Sequence, residues 1–262
     1  VKDFCIILVF NAKYIRKVFR TICQIRDIGL YKGDIVCVIN NELKNLTSLI
    51  YKDDNVIIKH FADVDRREMI KILNASLICE RRGIDKTLIL YHKLYCFHTW
   101  FRENYKKCLY IDVKMQIFKP LHKIINLNCD NKLLAHSDVY PFYKRKLSCQ
   151  FENVKFKKLF DELNNKYDLN IDYFQSTMML YDTKIINDDT FDELVRLSLL
   201  YINSINSDQG VLNIYFNCMF HKWEQIQIKD DDTYYYDFHE REPLKKTDYI
   251  MLKYPMLKYK YA

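Results

Sequence analysis

Two short segments carry the side chains with chemistry to offer. In Cys108-Leu109-Tyr110-Ile111-Asp112-Val113-Lys114 an apolar run ends on a carboxylate. The pattern predicts a short buried strand over Leu109 to Ile111 with Asp112 where it emerges, and open α/β sheets bind ligands at the carboxyl ends of their strands. Strand residues i and i+2 face the same way, so Lys114 is expected beside Asp112. The second segment, Asp208-Gln209-Gly210-Val211-Leu212-Asn213, follows a polar turn and opens a predicted helix that runs through Phe216. Asp208 suits the N-cap of that helix.

The elements that must position these residues alternate. Phe4 to Phe10 is a continuous apolar run, as in a buried parallel strand. Ile15, Val18, Phe19, Ile22 and Ile25 follow at helical spacing, with Gly29 closing that helix. Strands are predicted at Ile35 to Ile39, Val56 to Ile58, Leu133 to Ala135 and Thr177 to Tyr181. Helices are predicted at Asp85 to Trp100, Phe156 to Leu163 and Phe191 to Ile202. Strand–helix–strand alternation in the first 60 residues is the pattern of a parallel sheet. Beyond Trp223 the pattern weakens: a strand is read at Tyr234 to His239, and the Lys/Tyr-rich tail from Tyr249 reads as a strand or arm on the body.

The totals bound the answer. With 262 residues and 49% hydrophobic content, the chain can bury one sizeable core. Four glycines include no Gly-x-Gly-x-x-Gly and no Gly-x-x-x-x-Gly-Lys, which excludes the usual phosphate loops. The net charge of +7 suits an anionic ligand. Basic and acidic residues are intermixed, so no specific nucleic acid is expected as a partner. Nine scattered cysteines without a Cys-x-x-Cys pair point to a reducing compartment, here the cytoplasm, and Cys5, Cys37 and Cys108 in or beside apolar runs read as small hydrophobes. No apolar run is long enough to span a bilayer, and the start at Val1 leaves room for an upstream anchor.

Taken in order, several motifs resemble one family. They are Asn11-Ala12-Lys13-Tyr14 after the first strand, His92-Lys93-Leu94, Asp112-Val113-Lys114, Leu134-Ala135-His136-Ser137-Asp138, Phe174-Gln175-Ser176-Thr177 and Asp208-Gln209-Gly210. The set resembles the retaining GT-A glycosyltransferases that include glycogenin and the bacterial lipopolysaccharide galactosyltransferases. It is also similar to glycosyltransferase-like proteins encoded by giant DNA viruses. The resemblance covers most of the chain and implies an α/β, GT-A-like nucleotide-sugar-binding fold with a mixed central sheet flanked by helices. It implies one domain, 1–262: a nucleotide-binding half to about residue 125, an acceptor-side half to about 240, and a basic aromatic tail over 241–262.

The resemblance further implies a UDP-sugar donor, a glycan, protein or lipid-linked acceptor, and transfer with retention, in the host cytoplasm if the chain is viral. Asn11, Tyr14, Lys93, Asp112, Asp138 and Gln175 would bind the donor, with uracil stacked on the Tyr14 ring. Asp208 and Gln209 would sit beside the anomeric carbon. The family's Asp-x-Asp holds Mn²⁺ or Mg²⁺, but here Lys114 replaces the second acid. Lys114 is therefore read as a catalytic cation facing the diphosphate, making the metal dispensable. The family's third metal ligand, a histidine, falls near Asp237 or His239, and its Lys-Pro-Trp is missing. The alternative is a catalytically inactive protein of the same fold that binds sugar or nucleotide or serves assembly. The tail offers a basic aromatic surface for peripheral membrane contact.

Overall fold

The structure, a computed structural model, describes residues 1–45, 55–67, 89–137, 145–226 and 251–253. Seven strands form one sheet: β1 (Lys2–Phe10), β2 (Asp34–Ile39), β3 (Val56–His60), β4 (Tyr105–Ile111), β6 (Leu133–Ser137), β7 (Phe174–Asp182) and β8 (Trp223–Gln225), in the order β3-β2-β1-β4-β7-β6-β8. β5 (Met115–Ile117) and β9 (Met251–Lys253) pair antiparallel as a separate ribbon. The β3-β2-β1-β4 half is parallel, and β7 then runs antiparallel to both β4 and β6. The sheet is therefore mixed.

All six residues of β2, and residues 5–10 of β1, are buried, because helices and loops cover both faces of these strands. That is why their sequences are apolar without alternation. Two cores result, one on each face. Cys5, Ile7, Val9, Cys108 and Tyr110 point into one, and Ile6, Leu8, Phe10, Leu109 and Ile111 into the other. The strand cysteines behave as small apolar side chains. Cys5 and Cys108 lie opposite each other, Sγ to Sγ 3.6 Å, and burial pushes the Cys37 thiol up to about 12.

From β1 the chain steps outward to β2 and β3, then returns to β4 on the other side of β1. The order thus reverses between β1 and β4, and a crevice opens at the carboxyl ends of such strands. Asn11 and Tyr14 follow β1 there, and Asp112 follows β4.

Several elements differ from their sequence expectation. The helix α1 (Ile15–Asp27) ends before Gly29; the amides of Ile28 and Gly29 both donate to the Gln24 carbonyl. The left-handed residue is Leu30, φ 55°, and Gly29 is required because a Cβ would lie 2.7 Å from the Ile25 carbonyl. The segment read as one helix up to Trp100 is helical at residues 89–92, tightens to a 3₁₀ turn at Lys93–Phe97, and resumes as Thr99–Asn104. The helices at Lys157–Lys166 and Thr190–Leu200 are shifted by one to three residues at their ends. The helix from Asp208 is α-helical only to Asn213, then π-helical over Ile214–Met219. The strand read at Tyr234 to His239 lies outside the described residues.

Candidate functional site

A buried polar cluster lies beside β4 and β7. Lys93, 3% exposed, sits on the 3₁₀ turn against the Tyr110 ring, 5.1 Å from its centroid. Its ammonium donates to Asp208 Oδ2 at 2.8 Å, to the Ser176 carbonyl at 3.0 Å and to Ser176 Oγ at 3.2 Å. Ser176 Oγ in turn donates to the same Asp208 oxygen at 2.6 Å. Asp208 is 1% exposed, so this is a fully desolvated ion pair whose donors and acceptors are matched. A helix lysine is usually a solvated charge; the 3₁₀ turn aims this one inward.

Three further contacts hold the cluster. Gln209 Oε1 accepts the Ser176 amide at 3.3 Å, while its Nε2 donates to Gln150 Oε1 at 3.0 Å. Asn213 pairs with both backbone groups of Phe174, accepting at 2.9 Å and donating at 2.9 Å, as a neighbouring strand would. The register of β7 against β6 shifts between Ser137↔Phe174 and Ala135↔Met179, so β7 bulges across Gln175 to Met178. Bulges re-aim side chains and recur beside active sites. Asp208 does not cap its helix: it is the first helical residue, after Ser207 at φ 55°, ψ −102°. Ser207 is fully buried, and so strained a backbone persists only where its surroundings fix it.

Asp112 lies on the same edge. Strand periodicity does not continue past Ile111. Instead Asp112 opens a tight turn in which the Met115 amide donates to its carbonyl at 2.8 Å and the Lys114 amide to its Oδ1 at 3.0 Å. Aspartate favours the first position of such a turn for this reason. Lys114 thus reaches the edge through the turn, its Nζ 5.4 Å from the centre of the Tyr14 ring. Lys17 Nζ also stands 5.4 Å from that ring. The Asp112 amide donates to the Thr177 carbonyl at 2.8 Å, tying the turn to the bulge of β7. Tyr14 packs beside one core, and Asp208 pairs with Lys93 beside the Tyr110 ring, which points into the other. Asp112 and Asp208 both act on the Tyr110 phenol, which burial, the larger cause, pushes well up.

Beside Tyr14 opens a cavity of about 620 Å³ lined by Asn11, Lys13, Tyr14, Asn40, Asp63, Arg66 and His92, among others. Among the described residues, three buried atoms of its wall have no hydrogen-bond partner: Asn11 Oδ1, Asn40 Oδ1 and His92 Nε2. Buried polar atoms are rarely left so without a ligand or water to meet them. Burial also pushes the His92 imidazole down from its ordinary value, with Asp63 opposing at 3.7 Å. Arg66 is buried over the Tyr91 ring and donates to Ser198 Oγ at 2.6 Å.

Of the expected site residues, Lys93, Asp208 and Gln209 form one cluster, and Asp112, Lys114, Tyr14 and Asn11 line the adjoining edge. Gln175 is buried at the start of β7, 3.4 Å from Thr177 Oγ1. Asp138, Asp237 and His239 lie outside the described residues. Among the described residues no three His, Cys, Asp or Glu side chains gather to hold a metal. At the Asp112 turn the described side chains are one carboxylate and the Lys114 ammonium, and the other expected metal ligands, Asp237 and His239, lie outside the described residues. Ser176, Asn40, His92, Asn213 and Gln150 were not singled out from sequence. Ser176, His92 and Asn213 lay inside quoted segments, and Asn40 and Gln150 carry no local signal.

No protein-family model matches the sequence, and no curated protein is similar to it. Solved structures are. The galactosyltransferase LgtC, in complex with donor and acceptor sugar analogues, superposes with a TM-score of 0.63 at 12% identity, over 95% of this chain and 86% of LgtC. The bifunctional glycosyltransferase WbbM gives 0.59 at 17% identity over 97% of this chain, and GlyE of Streptococcus pneumoniae TIGR4 gives 0.52 at 13% over 87%. The chain spans just under half the length of these two, 46% of each. Likeness at such identity is a statement about architecture. In its fold, then, this chain stands with the GT-A-like glycosyltransferases.

Proposed function

We propose that this chain is a glycosyltransferase that moves a hexose or hexosamine from a UDP-sugar to a hydroxyl of a glycan, protein or lipid-linked acceptor, with retention of configuration. The observation that carries the reading is the buried Lys93–Asp208–Ser176 cluster at the sheet edge where Asp112 emerges. In this reading the Tyr14 ring stacks on the base, and the unpartnered Asn11 Oδ1 and Asn40 Oδ1 meet donors on the base or ribose. Gln175 and Asp138 contact sugar hydroxyls. Asp208 and Gln209 flank the anomeric carbon, and Lys93 holds the Asp208 carboxylate in place. The acceptor oxygen attacks that carbon on the face the diphosphate leaves. The carbon–oxygen bond to phosphate breaks with its electron pair on the phosphate, which takes the acceptor's proton. Such a route needs positioned polar groups rather than a strong base.

Lys114 replaces an acid of the metal-binding motif, and in this proposal its ammonium stabilises the departing diphosphate without a metal. The test is UDP release from a panel of UDP-sugars, with EDTA and with Mn²⁺. Turnover that survives EDTA and is lost in Lys114→Ala is expected; strict Mn²⁺ dependence overturns the metal-free form, and anomeric analysis of the product tests retention. A second reading, binding without transfer, is favoured by one observation: Asp208 is already engaged by both Lys93 and Ser176. UDP binding with no turnover on any donor selects it.

A further inference from the structure

We infer that Lys17 and Lys114 form a pair of fixed cations that binds the diphosphate of the donor, with Lys17 as its unassigned member. This rests on reading the Tyr14 edge as a nucleoside-diphosphate site. The two lysines come from different elements, the first turn of α1 and the Asp112–Met115 turn, and both place Nζ 5.4 Å from the centre of one ring. Their convergence is built in by a buried contact. Thr21, 2% exposed, holds its hydroxyl 3.0 Å from the Lys17 carbonyl and 3.2 Å from the Val113 carbonyl, joining the two segments that bear the lysines. Tyr14 is held in turn by its amide, which donates to the Asn11 carbonyl at 2.9 Å.

The charge at this spot is unbalanced. Among the described residues Lys17 has no carboxylate partner. The carboxylate of Lys114's own turn, Asp112, which also accepts the Lys114 amide, offsets only one of the two ammoniums. Two ammoniums beside one ring offer a polyphosphate two charge-assisted contacts. Lysine suits the task as a compact charge on a flexible stem. A nucleobase stacked on Tyr14 would carry its 5′-diphosphate into reach of both stems.

Calorimetry with uridine and UDP in EDTA tests this. Wild type is expected to bind UDP more tightly than uridine. Lys17→Ala should weaken UDP about tenfold and leave uridine unchanged, with a shallower salt dependence; Lys17→Arg should retain most of the affinity. Lys17→Ala with Lys114→Ala should bring UDP down to the uridine level. The inference is overturned if Lys17→Ala binds UDP like wild type, or loses uridine and UDP equally. It is also overturned if wild type prefers UDP over uridine only when Mn²⁺ is added, an outcome that leaves the nucleotide reading standing. Wild type that binds neither ligand overturns both.

Discussion

Lys93 and Asp208 are 115 positions apart in sequence, and each is buried only because the other is. Breaking such a pair costs far more than replacing it, because the survivor keeps an uncompensated charge in a low-dielectric place. Lys93→Met is therefore expected to lower unfolding free energy by about 3–5 kcal/mol. The double variant Lys93→Met, Asp208→Leu should recover much of that loss in urea denaturation while UDP release stays abolished. If the single variant is as stable as wild type, the pair is not a desolvated one. His92 gives a pH dependence at the same scale. Burial holds its imidazole below the ordinary 6.5, so the folded chain prefers it neutral. The unfolded chain then binds the extra proton, and stability is full above about pH 6.5 and declines as the pH falls toward the depressed folded value. Melting temperature should drop between about pH 7 and 5.5, with a smaller drop in His92→Asn.

At the scale of elements, the helix start at Asp208 depends on a close approach. A Cβ on Gly210 would lie 2.4 Å from Ser204 Oγ and 3.0 Å from the Phe151 ring. Ser204 Oγ is engaged with the Ser207 carbonyl at 2.8 Å, so it cannot give way without losing that bond. Gly210→Ala should destabilise by about 1–3 kcal/mol, read as a lower denaturation midpoint, and should reduce turnover through displacement of Asp208. The glycine of the Asp-Gln-Gly motif was visible in sequence, but its reason was not, since the atoms it must avoid belong to segments before the helix. The link between α1 and the Asp112 turn makes a second case. Thr21→Val keeps the shape and removes the hydroxyl between two carbonyls, at about 1 kcal/mol in chemical denaturation. It should also weaken UDP binding, because the lysine-bearing segments lose their tie.

At the scale of the molecule, β9 connects the C-terminal region to the site. Met251–Lys253 pairs with Met115–Ile117, the strand that begins directly after Lys114, and Met251 is fully buried. The tail was read as a strand or arm on the body, and this part of it is a strand. Ending the chain after residue 250 should speed amide exchange at residues 115–117 and weaken UDP binding more than uridine binding. Unchanged exchange there would show that β5 keeps its place without β9. Among the described residues no helix is long and apolar enough to cross a membrane.

The sequence alone determined the parallel half of the sheet and the place of its crevice. Strands buried on both faces must be continuously apolar, and β1 and β2 are. It also located Asn11, Tyr14 and Asp112, because each follows directly on a strand whose end is marked by the change from apolar to polar. Tertiary structure alone decided how these residues act. The burial of Lys93, the bracing by Ser176 and Gln209, the bulge of β7 and the turn that redirects Lys114 all depend on partners far away along the chain. Local patterning reports which face a residue prefers, whereas a desolvated charge or an amide bridging two segments exists only once those segments meet.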